Sequence, residues 1–143
     1  MEQSIILQPV VALVLLTAVV WIRLYVERLG EMRARRIDPQ LIASSAARNG
    51  TLQQTSGADN FKNLLEMPVL FYVLCLALLA TGEVTAGFVQ AAWIYVALRA
   101  VHSFIHLTYN RVVHRFTAYV ASSALLYAMW IAFATRLPWF GAA

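Results

Sequence analysis

Four long apolar runs occupy most of this 143-residue sequence and leave little choice of fold. They cover residues 5–22, 64–80, 86–107 and 116–135, and each is close to the roughly 20 residues that cross a bilayer as a helix. Backbone N–H and C=O groups find no water in lipid, so helices, which satisfy these groups internally, are expected. The sequence therefore predicts an all-α membrane protein, a four-helix transmembrane bundle forming a single domain over residues 1–143.

Composition supports this fold class. Hydrophobic residues make up 61% of the chain, whereas a soluble domain typically has about 45–50%. Charged residues make up only 13% and lie mainly between the apolar runs. We predict transmembrane spans at approximately 5–26, 62–81, 86–108 and 116–136, and a cytoplasmic loop at 27–61, in which the small, polar stretch SSAARNGTLQQTSGAD is expected to be mobile.

The basic residues predict the orientation of the chain in the membrane. Five lie in the loop between the first and second spans, with Lys62 at the start of the second, and Arg111 and Arg115 lie between the third and fourth. The second connection, TGEV, has no basic residue. By the positive-inside rule both basic loops face the cytoplasm and both termini lie outside. The excess of positive charge is explained by this topology and by contact with anionic membrane lipids, so no nucleic-acid partner is predicted.

Cysteine usage excludes one class of membrane enzyme. The chain has a single cysteine, Cys75, in the middle of the second span. A disulfide framework needs at least two cysteines, and so does a thiol–disulfide oxidoreductase with paired thiols. Cys75 is interpreted as a small buried residue.

Arg99, His102 and His106 lie within the third span at positions i, i+3 and i+7, on one stripe of a helix. Ionisable groups at membrane depth are costly, so they normally face a protein interior or a wet cavity and mark a site. Glu66 is the only acidic residue within a span. We therefore predict that Arg99 and Glu66 form a structural ion pair.

Other polar residues are expected at similar depth, because the second and fourth spans run opposite to the third. The second span contributes Asn63 and Glu66, and the fourth begins near Arg115, followed one turn later by Tyr119. Two arginines against one glutamate favour an anionic ligand, and a helix N-terminus near Arg115 adds positive potential. Each of these polar residues could also be an ordinary hydrogen-bonded interior or interfacial residue, and this alternative stays open.

A metal or haem site is the competing interpretation of the two histidines. His102 and His106 are four residues apart on one helix face, as in a bis-histidine pair. No Cys or Asp joins them within a span, and His114 lies too near the membrane surface to face His102. No metal ligand is predicted.

Two segments together resemble the MAPEG family, the membrane-associated proteins of eicosanoid and glutathione metabolism, and in particular a bacterial branch of it. They are NLLEMP at 63–68 and RAVHSFIHLTYNRVVHRFTAY at 99–119. The resemblance implies a homotrimer of four-helix subunits, with glutathione sites between protomers that open to the cytoplasm. It implies the following site residues: Asn63 and Glu66 contact glutathione, Arg99 is the buried arginine of the third helix, His102 is a glutathione-site histidine, Arg115 stabilises the glutathione thiolate and Tyr119 lies close to the tripeptide.

The sequence departs from the family pattern at four positions. Lys62 stands where glutathione-binding members carry an arginine, and lysine cannot grip a carboxylate with two parallel hydrogen bonds. Asp59 occupies a position that is usually basic, His106 replaces a tyrosine, and Phe116 replaces a serine found in one branch. Lys62 and His106 remain candidate glutathione contacts.

The function implied by this resemblance is that of an integral membrane, glutathione-dependent transferase or peroxidase-like enzyme. Its second substrate would be a lipophilic small molecule, either an electrophile or a lipid hydroperoxide, and glutathione would be the co-substrate. The alternative is a non-catalytic lipid-binding or scaffold protein of the same fold. The location predicted is a multi-pass position in a bacterial inner membrane.

Overall fold

A computed structural model describes residues 2–53 and 55–138. It contains four helical segments long and apolar enough to cross a membrane, which confirms the predicted fold class. The helices are α1 (Leu7–Arg35), α2 (Ser45–Thr51), α3 (Ser56–Leu64), α4 (Met67–Thr81), α5 (Ala86–Leu107) and α6 (Val112–Ala134). The end of the bundle that carries the α1–α3 connection and the α5–α6 turn is called the basic end below.

The helices pack around one apolar core. Neighbouring helices α5 and α6 make the most extensive contact, while α1 packs against both α3 and α5. Leu13 from α1, Leu74 from α4 and Leu126 from α6 are fully buried in this core. Phe71 and Tyr95 stack at its centre with ring centroids 4.6 Å apart. Burial of these side chains fixes how the four long helices sit against one another.

The outer surface of the bundle is also apolar. Large hydrophobic side chains on every long helix are exposed, for example Leu15 at 61%, Phe104 at 65% and Ile131 at 66%. Apolar patches of this extent mark a surface that meets a membrane or another protein. The distribution fits a bundle whose outward faces contact lipid.

The connection between α1 and α3 contains more helix than the sequence predicted. The stretch expected to be a mobile loop contains α2 and the first residues of α3. Two side chains at the end of α1 hold it: Glu31 accepts a hydrogen bond from the backbone N–H of Gln53 (2.8 Å), and Arg35 donates to the carbonyl of Thr51 (2.7 Å). Leu52, between these two contacts, is buried. These contacts were not predicted because they join residues about 20 positions apart.

The second span consists of two helices, since the chain leaves helical geometry at Leu65 and Glu66. Pro68 explains the break: it has no N–H to bond to the carbonyl of Leu64, and its ring would clash with that carbonyl in a continuous helix. The interruption separates α3 from α4 and leaves the side chain of Glu66 exposed.

Gly57 allows α3 to lie close to α1. A Cβ atom at this position would lie 2.7 Å from Glu27 Oε2 and 2.8 Å from the Cα of Leu24. We expect Gly57→Ala to lower the free energy of unfolding by about 1–3 kcal/mol, because the backbone of α1 must shift. Thermal unfolding in detergent measures the effect. Gly30→Ala is the matched control: nothing lies within 4 Å of its Cβ, so it should raise stability by up to about 1 kcal/mol.

Candidate functional site

The turn between α5 and α6 brings Arg115 back against α5. Asn110 adopts the left-handed conformation (φ 47°), and its N–H bonds to the carbonyl of Ile105 at 2.8 Å. Asparagine tolerates this conformation better than most residues. Helix α6 begins two residues later at Val112, four residues earlier than the predicted span, and Arg115 lies in its first turn.

The guanidinium group of Arg115 links the turn to α5. Its Nη1 atom donates hydrogen bonds to Asn110 Oδ1 (2.8 Å) and to His106 Nε2 (3.1 Å). Because a guanidinium can only donate, His106 Nε2 is the acceptor and the neutral ring carries its proton on Nδ1. That Nδ1 atom is buried and has no hydrogen-bond partner among the described residues.

His102 is held by the backbone of the same turn. Its Nδ1 atom lies 3.0 Å from the carbonyl oxygen of Arg115, to which it donates. The neutral ring therefore presents a lone pair at Nε2, which is buried without a partner among the described residues. The ring lies 5.9 Å from that of Tyr119, centroid to centroid. His102 is thus fixed in one orientation with one nitrogen available.

Arg99 is fully buried and has only part of its hydrogen-bonding capacity satisfied. Nη2 donates to the carbonyl of Asn63 (2.8 Å), and the guanidinium carbon lies 5.6 Å from the ring centroid of Tyr119. Its Nε and Nη1 atoms, and the nearby hydroxyl of Tyr95, have no partner within the described part of the chain. Buried charged donors left in this state are costly and are often found where a ligand or ion binds.

The predicted ion pair between Arg99 and Glu66 is wrong. No ion pair joins these side chains in residues 2–53 and 55–138, and Glu66 is exposed. The prediction rested on charge alone, since Glu66 is the only acidic residue within a span. In the structure the chain leaves helical geometry at Leu65 and Glu66, and the carbonyl of Asn63 contacts Arg99 instead.

Several predicted residues share one groove at the basic end. The groove has a volume of about 200 Å³ and is lined by Asn63, His102, Val112, Arg115, Phe116 and Tyr119. The predicted candidates Lys62 and Glu66 do not line it and are exposed to solvent or lipid. Arg99 and His106 do not line the groove but contact residues that do. Arg99 donates to the carbonyl of Asn63, and His106 accepts from Arg115.

The described residues offer little support for a metal centre. No group of three or more His, Cys, Asp or Glu side chains close enough to share an ion occurs among them. The rings of His102 and His106 lie 5.8 Å apart, and His106 Nε2 already accepts a hydrogen bond from Arg115.

Sequence reasoning missed a buried polar pair beside the groove. Ser103 donates from Oγ to Asn60 Oδ1 at 3.1 Å, and Asn60 Nδ2 donates to the carbonyl of Ser103 at 3.5 Å. Both residues are essentially inaccessible to solvent. The sequence feature that could have indicated Asn60 is its spacing from Asn63: residues three apart lie on the same face of a helix.

Comparison with family models finds one match. The model described as the MAPEG family matches residues 6–135, which include all four long helices and every residue of the groove. The chain belongs to the MAPEG family. Members of this family are membrane proteins that generally use glutathione. No curated protein and no solved structure is similar enough to this chain to count as a match. This MAPEG chain is therefore an integral membrane protein, and its particular activity has to be argued from the groove.

Proposed function

We propose that this MAPEG chain binds glutathione in the groove at the basic end and presents the thiolate to lipophilic electrophiles or lipid hydroperoxides. The convergence of fixed hydrogen-bonding groups carries the proposal. Arg115 and His102 are held by the α5–α6 turn, and Asn63 and Tyr119 complete the same groove. Such an arrangement suits a polar ligand with several charged groups.

The charge of the groove favours an anion. Arg115 lies in the first turn of α6, where the helix dipole adds positive potential. Arg99, directly behind Asn63, has no carboxylate within ion-pair distance (4 Å) among the described residues. A thiol loses its proton more readily beside arginine and a helix N-terminus. Glutathione has two carboxylates and an ionisable thiol, so its negative charges match the positive potential of the groove.

The size of the groove supports a site shared between copies of the chain. Its volume of about 200 Å³ is below the roughly 300–1,000 Å³ typical of small-molecule sites, so one chain supplies only part of the wall. Lys62 and Glu66 are exposed beside Asn63 and are free to face a second copy. We propose a homotrimer in which neighbouring copies complete each site.

The chemistry follows from the thiolate. In conjugation, the sulfur attacks an electrophilic carbon, a C–S bond forms, and the leaving group departs with its electron pair. With a hydroperoxide, the sulfur attacks the terminal oxygen and the O–O bond breaks, giving a sulfenic acid and an alkoxide, which takes a proton from water to become an alcohol. A second glutathione then reduces this species to the disulfide and water. Arg115 would stabilise the thiolate by direct donation, while His102 and Tyr119 orient the tripeptide.

The membrane would deliver the second substrate. Phe116 lines the groove and is 64% exposed, so an apolar molecule in the bilayer has an apolar contact next to Arg115. The concentration of arginines at the basic end supports an orientation with this end in the cytoplasm and both termini outside, as in a bacterial inner membrane.

The second candidate function is non-catalytic lipid binding or scaffolding. The observation that favours it is Phe116 itself, since a large apolar wall suits an acyl chain as well as a reactive substrate. The two functions differ in whether the bound thiol reacts.

Glutathione is expected to stabilise the purified protein against thermal unfolding in detergent. A ligand at 100 times its Kd adds about 2.7 kcal/mol to the free energy of unfolding. Conjugation of a generic aromatic electrophile should accompany the stabilisation. The matched control is the tripeptide with alanine in place of cysteine, which should stabilise the protein but yield no product. Absence of any stabilisation at millimolar glutathione would contradict glutathione binding; stabilisation without turnover would favour the second candidate.

A further inference from the structure

Helix α3 carries two site candidates, Lys62 and Asn63, yet it buries little apolar surface. Its buried residues are Gly57, Asn60 and Leu64, so Leu64 is the only large apolar side chain among them. Apolar burial is the usual source of helix docking. Phe61 is in addition partly buried against the core, and Gly57 packs closely on α1. These contacts dock α3 on the bundle, whereas its polar contacts with α5 fix its register.

The break at Leu65 and Glu66 increases the importance of these polar contacts. A continuous helix would take its orientation from α4, one face of which is buried in the core along its length. Because the chain is not helical at Leu65 and Glu66, α4 does not fix the orientation of α3. Contacts made by α3 itself have to set where Asn63 lies relative to α5.

Two hydrogen-bonded contacts set the register between α3 and α5. Asn60 pairs with Ser103 through side chain and backbone, and the carbonyl of Asn63 accepts from Arg99 Nη2 at 2.8 Å. Asn60 and Asn63 are three residues apart on α3, and their partners Ser103 and Arg99 are four residues apart on α5, in the opposite direction. Each spacing is about one helical turn, as expected where two antiparallel helices make two successive contacts. A shift of α3 by one residue would break both contacts.

The hydrogen-bonded pair of Asn60 and Ser103 is shielded from water, so losing it would be costly. Asn60 is 0% exposed and Ser103 1% exposed, so neither group can exchange its partner for water. A buried amide or hydroxyl left without a partner is strongly disfavoured. Ser103 also follows His102 directly in α5, so the contact lies next to a residue that lines the groove.

We propose that Asn60 and Ser103 are positioning residues of the groove, which hold α3 in the register that brings Asn63 beside His102. The inference rests on the proposed glutathione function. Neither residue lines the groove, so both act through Asn63 and Arg99 rather than by touching the ligand.

The test is glutathione binding by Asn60→Ala, Ser103→Ala and the double variant, measured by calorimetry at a temperature where each remains folded. Each single substitution should weaken binding by about 5- to 20-fold, and the double variant should be little worse than either, because both remove one contact. Ser103→Thr, which keeps the hydroxyl, should retain most of the affinity. Ser123→Ala is the matched control: Ser123 is a buried serine of α6 whose hydroxyl has no partner among the described residues.

Amide hydrogen exchange over residues 57–64 supplies a readout independent of the ligand. Exchange should accelerate in Ser103→Ala and stay unchanged in Ser123→Ala. If the wild type binds glutathione and both Asn60→Ala and Ser103→Ala bind equally well, with only a lower unfolding temperature, the positioning role is overturned. A wild type that binds no glutathione overturns the proposed function, and the positioning role with it.

Discussion

Replacing Arg115 with alanine should lower kcat/KM for glutathione conjugation by about 100- to 1,000-fold, the usual cost of removing a preorganised donor that faces developing or bound negative charge. The guanidinium is preorganised here because Asn110 Oδ1 and His106 Nε2 hold it at 2.8 and 3.1 Å. Arg115→Lys should recover part of the loss, since it keeps the charge but not the planar geometry.

The measurement combines steady-state kinetics with the ultraviolet absorbance of bound thiolate. Arg115→Ala should lose the thiolate absorbance even at saturating glutathione. Arg111→Ala is the matched control, because Arg111 is exposed at the start of α6 and does not line the groove. Turnover within threefold of wild type in Arg115→Ala would rule out the thiolate role and leave the rest of the groove as the source of binding.

Replacing Arg99 with methionine should abolish glutathione-induced stabilisation while changing the ligand-free protein little. A buried arginine at membrane depth costs at least about 2.5–3.5 kcal/mol. Arg99 recovers only part of this cost through the carbonyl of Asn63 and the ring of Tyr119, since two of its nitrogens have no partner among the described residues. Methionine removes the charge but leaves the carbonyl of Asn63 without its donor, at a cost of about 1–3 kcal/mol. The two effects nearly cancel in the ligand-free state.

Thermal unfolding with and without glutathione tests this expectation. Arg136→Met provides the control, because Arg136 lies at the opposite end of the bundle in an exposed ion pair with Glu83. It should leave glutathione-induced stabilisation intact. A large loss of ligand-free stability in Arg99→Met, with normal glutathione stabilisation of the remaining folded protein, would make Arg99 purely structural.

The sequence predicted the parts of this protein that depend on local pattern. The apolar runs predicted four long helices, because length and hydrophobicity alone decide whether a segment can cross a bilayer. The family resemblance was confirmed by the match over residues 6–135. Asn63, His102, Arg115 and Tyr119, four of the predicted site residues, line one groove.

The errors share one cause. The Arg99–Glu66 pair was inferred from charge and span membership, but the break before Pro68 changes which part of the second span faces Arg99. The contacts of the first connection were not predicted because Glu31 and Arg35 contact residues distant in sequence. Asn60 and Ser103, 43 residues apart, gave no sign of being partners.

Sequence by itself therefore determined that this chain is a helical membrane protein of the MAPEG family, with cationic side chains concentrated at one end. Tertiary structure alone decided which of these groups meet. Hydrophobic periodicity places a residue on a helix face, but a hydrogen bond or ion pair forms only when helix register, breaks and turns bring two atoms within about 3 Å. In this chain, those features give Arg99 the carbonyl of Asn63 as its partner and leave Glu66 exposed.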